Sequence, residues 1–488
     1  MMIRFLTMMF FVGLWGGCVA VYRVDAADSP EHPHVVILFV DDMGYGDPVC
    51  YNPDSKIPTP HIDGLARDGM RFTNAHAPGP LCHPSRYGLL TGRYPFRTDV
   101  SVWPSQALIE EGRMTIASLL RSRSYRTVMV GKWHLGFDEQ GYDQALPGGP
   151  VDRGFDHFFG IRASTDIPPY FYIRGDRAVE PPTEQIADNQ TRGWSPIQGA
   201  FWRGGGIAPN LKLDEVLPRF TDESIAAINT HASQSAGQPL MLYVALPAPH
   251  TPWLPSEPFV GRSGAGMYGD FMMMVDHEIG RILAALDESG MADDTLVIFA
   301  SDNGPVWYPY DVQRFGHDSA GGLRGMKGDA WEAGHRMPLV MRWPGSIEPG
   351  SVSGQVVSFT DLLATFAAIL DAPLPKDAAE DSFSLLPVML GEQPYDRPIR
   401  PSVVIPALTG MLSIRSGPWK LIDGLGSGGF SQPRRIAPEP GGPRGQLYHL
   451  DDDPGETTNR WLDEPEMRDR LLEELQRVRT SGRSRPPH

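Results

Sequence analysis

Four short stretches of the chain are apolar almost throughout: "VVILFV" (35–40), "RTVMVG" (126–131), "LMLYVAL" (240–246) and "TLVIFA" (295–300). A strand with one wet face alternates apolar and polar positions. A continuous apolar run bounded by turn residues fits a strand buried on both faces of a parallel sheet. Helical patterns lie between and after these runs. "TDESIAAINTHA" (221–232) offers Thr221 as an N-cap with acids in the first turn, and "DFMMMVDHEIGRILAALDESG" (270–290) repeats apolar residues at helical spacing up to Gly290. "TDLLATFAAILDAP" (360–373) has the same opening and stops at Pro373. Strand–helix alternation of this kind predicts an α/β fold with a large, mainly parallel sheet flanked by helices.

The pattern changes after residue 373. Proline and glycine become dense, and "GLGSGGFSQPRRIAPEPGGPRG" (424–445) reads as a long loop. A strand pair, "VVIPALTGMLSIRSGPWKLID", precedes it, and a polar helix, "PEMRDRLLEELQRVRT" (465–480), follows. This predicts a main domain over 33–373 and a smaller C-terminal α+β lobe over 374–488, with the closing "SGRSRPPH" frayed.

Composition narrows the function. The chain has 488 residues, 41% hydrophobic and 21% charged, with a formal net charge of -16. A surplus of acid argues against nucleic acid as a partner, because a polyphosphate needs a basic face. A small anionic substrate is still open, since the field inside a cleft can oppose the net charge. At the N-terminus Arg4 leads an apolar run from Phe5 to Tyr22, followed by Ala26 and Ala27. This predicts a signal peptide over 1–26 and an exported chain, with an uncleaved membrane anchor or lipidation at Cys18 as weaker readings. Elsewhere no stretch is long and apolar enough to span a bilayer, so stable membrane insertion is not expected.

Chemistry in an open α/β sheet collects where strands reach their carboxyl ends. The four runs end in Asp41-Asp42, in Lys132-Trp133-His134, near His250 of "PAPHTPW", and in Asp302-Asn303. In a parallel sheet all four clusters share one edge. Adjacent carboxylates repel unless a cation or proton intervenes, and ligands that are all oxygen point to Ca²⁺ or Mg²⁺ rather than Zn²⁺. The bland alternative makes "DD" and "DNG" turn residues. Lys132 and His134 also have a bland reading as solvated loop residues, His76, His157 and His231 read as bland histidines, and Lys327 in "GGLRGMKGDAWEAGHRMP" could be a solvated loop residue, so the functional case for these residues depends on Cys82. Cys82, in "PLCHPSRYGLLTGR", is one of only three cysteines. It could bridge to Cys50 in an oxidising compartment, or act as a thiol whose pKa is lowered by Arg86 and by a helix N-terminus that Pro84 would begin.

The order Cys-x-Pro-Ser-Arg followed by "YGLLTGR" resembles the signature of the type I sulfatases. The resemblance extends over nearly the whole chain, in family order: "VVILFVDDMGYGD", "TPHIDGLARDGMRFTNAHA", "GKWHLG", "RGFDHFFG", "PHTPW", "SDNG", "LRGMKGDAWEAGHRMPLVMRWPG" and "LYHLDDDPGETTN". It implies an alkaline phosphatase-like fold and hydrolysis of sulfate esters. It also implies that Cys82 is oxidised to Cα-formylglycine by a formylglycine-generating or sulfatase-maturing enzyme during export. By the same resemblance Asp41, Asp42, Asp302 and Asn303, with the modified Cys82, hold a divalent cation, usually calcium, with magnesium as the alternative. Cys82 as its hydrate supplies the nucleophile, Arg86 steadies that hydrate, and Lys132 and Lys327 clamp the sulfate. His134 accepts a proton from the hydrate, His250 sits by the leaving oxygen, and Ser164 matches a family hydroxyl more loosely. His83 departs from the family, which usually has a small residue or threonine there.

Two other classes stay open: a metal-dependent phosphohydrolase or phosphonate hydrolase of the same superfamily, and a non-catalytic sulfated-glycan binder should Cys82 go unmodified. The substrate expected is a sulfated carbohydrate, with aryl sulfates as generic substrates. The aromatic-rich stretch 161–209 offers Tyr170, Tyr172, Trp194, Trp202 and Arg203 as residues that line a sugar site or pack locally.

Overall fold

The computed structural model describes residues 32–486 apart from Ser105 and Ala236. The proposed signal peptide and Cys18 lie outside the described residues. The four apolar runs become four adjacent strands of a ten-stranded sheet, in the order Thr295–Ser301, His34–Asp41, Leu240–Pro249, Arg126–Lys132. All three pairings are parallel, with Val35 beside both Met241 and Leu296, and Met241 beside Thr127. Nearly every residue of these strands is buried, which is why their sequences do not alternate. His157–Ile161 continues the parallel set and is followed by two antiparallel strands, Tyr172–Arg174 and Arg177–Ala178; beyond Thr295–Ser301, Leu339–Arg342 and Met70–Phe72 pair antiparallel, and Ser351–Ser353 closes that edge in a parallel pairing with Met70–Phe72.

Two groups of helices flank the sheet: Pro60–Arg67, Val216–Gln234 and Gly266–Glu288 pack together, as do Cys82–Thr91, Ile116–Arg121 and Asp361–Ile369. The expected ends need correction in three places. The helix expected from Thr221 begins at Val216, because Val216, Leu217 and Phe220 extend its buried face. Thr221 is then interior, its hydroxyl donating to the Leu217 carbonyl rather than capping. The helix expected to reach Pro373 ends at Ile369. The Cys82 helix starts at Cys82 itself, so Pro84 stands third in its first turn, where a missing N–H costs nothing. Gly290 ends its helix as read, at φ +72°.

The strand pair expected near 403–423 is three strands, Val403–Pro406, Leu412–Ser416 and Trp419–Ile422, joined by Gln446–His449 into a separate four-stranded antiparallel sheet. The helix Pro465–Thr480 lays Leu471, Leu475 and Val478 against it. The tail is not frayed throughout: the Ser484 and Arg485 amides donate to Asp381 Oδ1 at 2.9 Å and to the Glu380 carbonyl at 3.0 Å. Among the described residues no helix is long and apolar enough to cross a membrane.

Candidate active site

Parallel register puts the ends of all four central strands on one edge, and the site is assembled there. Asp41 ends its strand, and the chain turns sharply at Asp42, with φ +63°. The neighbouring strand ends at Ser301, so Asp302 and Asn303 come alongside. The Asp42 amide donates to Asp302 Oδ1 at 3.2 Å, and Asn303 Nδ2 donates to Asp42 Oδ1 at 2.6 Å. Asp41, Asp42, Asp302 and Asn303 are all buried. Asn303 Oδ1 is buried without a hydrogen-bond partner, an acceptor left over in a group of carboxylates. Asp41, Asp42, Cys82 and His250 each offer a ligand atom within 4.8 Å of the others. An oxygen-rich set with a spare buried acceptor fits a hard divalent cation.

Cys82 opens a helix whose remaining residues, His83 excepted, are buried. Its Sγ lies 3.3 Å from Asp41 Oδ1 and 3.4 Å from Lys327 Nζ. Cys50 and Cys82 are free thiols, so the disulfide alternative is not realised. The low-pKa thiol fails as well. Burial, then Asp41 beside it, pushes the Cys82 thiol well above its usual pKa, although Lys132 and Lys327 act the other way.

Cations surround these acids. Arg86 donates to Asp302 Oδ2 from Nε at 3.1 Å and from NH2 at 2.8 Å, to Asp41 Oδ2 at 3.3 Å, and to the Lys132 carbonyl at 3.1 Å. Its fork therefore holds the carboxylates and a strand end. Lys132, the last residue of its strand, donates to Asp41, and Lys327 donates to Asp42. Burial alone would raise the pKa of Asp41, but Lys132, with His250 and Arg86, holds it well below the carboxylate range. Asp302 is pushed up to about 6 by burial and by its neighbour Asp41. Burial disfavours the charge on Lys327, yet Asp42 overrides it and raises that pKa.

His134 is buried at φ +57°, its ring Nδ1 3.3 Å from Ser164 Oγ. Burial, then Lys132, lowers its pKa well below the histidine value, so the imidazole is neutral. His250 follows the Leu240–Pro249 strand. Its Nε2 is 3.6 Å from Asp42 Oδ2, and its Nδ1 donates to the Thr251 carbonyl at 2.7 Å. Beside it opens a cleft of about 120 Å³ whose walls include Asp42, His250 and Lys327 with Asp166, Phe201 and Arg203.

Every residue of the sequence-derived site is therefore in one place. Of the loop aromatics, Tyr170, Tyr172, Trp194 and Trp202 make local contacts, and only Arg203 of the five expected residues lines the cleft. His157 is exposed as expected, whereas His231 is buried against the Gln238 carbonyl and His76 against His335. Sequence reasoning missed Asp166, which holds Arg203 at 2.6 Å and stands 3.9 Å from His250. It also missed Trp103, which stacks on His134. Asp166 lies two residues after Ser164, so a signal existed; Trp103 lies in a loop with none.

An α/β sheet with acids, lysines and a helix-borne Cys82 gathered at its carboxyl edge is the architecture of an ester hydrolase of the alkaline phosphatase type. The chain belongs to the sulfatase family, whose model matches residues 33–372, and is thus a sulfuric ester hydrolase. It is 33% identical over 516 residues to an N-acetylgalactosamine-6-O-sulfatase of Bacteroides thetaiotaomicron, covering 98% of this chain and 99% of that one. Human arylsulfatase A is 35% identical over 404 residues, covering 80% and 74% respectively. A solved structure from work on glycosaminoglycan metabolism by Bacteroides thetaiotaomicron superposes with a TM-score of 0.80 at 32% identity, covering 92% of this chain and 99% of that one.

Proposed function

We propose that the protein is an exported sulfatase that removes sulfate from a sulfated carbohydrate, with 6-O-sulfated N-acetylgalactosamine as the leading substrate. The observation that carries this is the convergence of Lys132, Lys327 and Arg86 with four metal-type side chains around Cys82, beside a cleft. The near full-length likeness to an N-acetylgalactosamine-6-O-sulfatase supports the choice of sugar.

The chemistry follows from charge. A sulfate ester repels nucleophiles through its own oxygens, so catalysis requires positive groups fixed where negative charge builds. Lys327, already within 3.4 Å of Sγ, and Lys132 clamp the sulfate oxygens. Oxidation of Cys82 by a formylglycine-generating enzyme puts a hydrated aldehyde in place of Sγ, with one oxygen to attack sulfur and one to expel sulfate by rebuilding the carbonyl. His134, neutral and buried, takes the proton from the second oxygen. His250, at the mouth of the cleft, serves the leaving oxygen. Asp41, Asp42, Asp302 and Asn303, with the modified Cys82, would hold a divalent cation, calcium in preference to magnesium, which would supply Lewis-acid charge to the sulfate. Arg86 keeps Asp41 and Asp302 in place for it. Export rests on the Arg4-led apolar run and the small residues at 26 and 27.

The test is a comparison of esters on matured enzyme. Sulfate should be released from the 6-O-sulfated sugar well above its 4-O-sulfated isomer, and the matched 6-phosphate should be the poorer substrate. Faster turnover of the phosphate would move the chain to the phosphohydrolase reading.

A further inference from the structure

His83, next to the nucleophile position, stands where the family usually has a small residue or threonine. Its ring does not turn away from the site. It stacks on Trp103 with ring centres 5.0 Å apart and an 11° interplanar angle, and lies 5.9 Å from the His134 ring at 5°. Trp103 in turn stacks on His134 at 4.6 Å and 14°. Three flat rings thus lie nearly parallel at one corner of the site. Among the described residues, the only hydrogen bond of the His134 ring is the 3.3 Å contact of Nδ1 with Ser164. At 3.3 Å that contact is long for a hydrogen bond and restrains χ2 of the ring, a broad torsion, only weakly. The His134 backbone is also held at φ +57°, a conformation a non-glycine residue adopts only under local constraint.

We propose that His83 and Trp103 are positioning residues: their stacked rings fix the plane of the His134 imidazole so that its free nitrogen faces the reacting group at position 82. The proposal rests on the sulfatase reading of the site. It accounts for a bulky residue at position 83, because a small side chain there would leave the stack one ring short. Flat aromatic pairs hold orientation through offset stacking, and a proton acceptor displaced by about 1 Å can lose up to a hundredfold in rate.

The test separates orientation from maturation, since a change at residue 83 also alters the sequence the modifying enzyme reads. His83→Ala, His83→Phe and Trp103→Ala are each prepared, the aldehyde content at residue 82 is measured by peptide mass spectrometry, and kcat is expressed per aldehyde. His83→Ala should lose about tenfold to a hundredfold in kcat with KM within about twofold, and His83→Phe should recover most of that loss. Trp103→Ala, outside the modification signal, should show the same loss at full aldehyde content. A further readout needs no turnover: in protein labelled with ¹³C at histidine, the His134 ring protons should be shifted upfield by Trp103 and lose that shift in Trp103→Ala. Full kcat per aldehyde in Trp103→Ala, a His83→Phe no better than His83→Ala, or no Trp103-dependent shift would overturn the proposal. Wild-type protein that carries no aldehyde and no sulfatase activity but keeps the shift would instead refute the functional reading and leave the stack standing.

Discussion

Lys132 and Lys327 reach the same cluster of acids from opposite kinds of support. Lys132 is the last residue of a central strand, paired in register with Ile161 and preceded by Gly131 beside Ala245. Lys327 belongs to no helix or strand. Its segment is held largely by the C-terminal lobe: the Gly328 carbonyl accepts from the Leu408 amide at 2.9 Å, the Ala330 amide donates to Ser427 at 2.7 Å, and the Glu332 amide donates to Glu456 at 2.7 Å. Beneath it Lys420, fully buried, lies 3.0 Å from Glu332, 2.9 Å from Glu456 and 3.1 Å from His335 Nε2. His76, Glu332 and His335 are grouped closely enough to hold a metal, but the Lys420 ammonium already supplies the cation there. One lysine is thus built into the sheet, and the other is presented by a loop that a second lobe keeps in place. The C-terminal lobe is part of the frame that holds Lys327 in the candidate site.

The comparison can be broken by substitution. Lys132→Ala should have the largest effect, a fall in activity of about a thousandfold. It should also cost about 3–5 kcal/mol in stability, because Asp41 is left buried beside one cation fewer. Activity on an aryl sulfate and thermal unfolding measure the two. Lys420→Met should destabilise by about 3 kcal/mol, because Glu456 loses its buried cation and Glu332 keeps only Arg336 at 3.5 Å and Arg415 at 3.9 Å, and should lower kcat through Lys327 alone. A double-mutant cycle checks the route: added to Lys327→Ala, Lys420→Met should cost no further activity. A full additive loss would mean the lobe acts elsewhere.

Matched glycine changes sharpen the same contrast. Gly131 has φ +116°, and a Cβ there would meet the Ala245 carbonyl oxygen at 2.0 Å. Gly131→Ala should therefore cost about 3 kcal/mol or more, since a neighbouring strand must move. Gly328 has φ +83°, but a Cβ there would come no nearer than 3.3 Å to Phe430, 3.4 Å to Leu408 and 3.6 Å to Gly429. Gly328→Ala should cost about 1–2 kcal/mol, the left-handed backbone penalty alone. Equal losses on chemical denaturation would remove the distinction between a sheet-borne and a loop-borne lysine.

The same contrast decides what was legible in the sequence. Asp41, Asp42, Lys132, His134, His250, Asp302 and Asn303 could be found because each follows an apolar run, and parallel register does the rest. Cys82 and Lys327 follow no such run: the residues around Cys82 offered only a disulfide or a thiol nucleophile, and the family resemblance alone gave the two residues their places in this site. Trp103, Asp166 and Lys420 act through partners far away in sequence, a kind of contact that periodicity does not encode. The start of the Val216–Gln234 helix was missed for a related reason: its first turn is set by burial of Val216 and Leu217 rather than by a cap.

The central claim is that these groups surround a modified cysteine. Peptide mass spectrometry of active enzyme across residues 71–86 tests it most directly. The account predicts an aldehyde at position 82, trappable by a hydrazide, in proportion to activity, with Cys82→Ala inactive and Cys82→Ser limited to a single turnover. An intact Cys82 thiol in a preparation of full activity would contradict it.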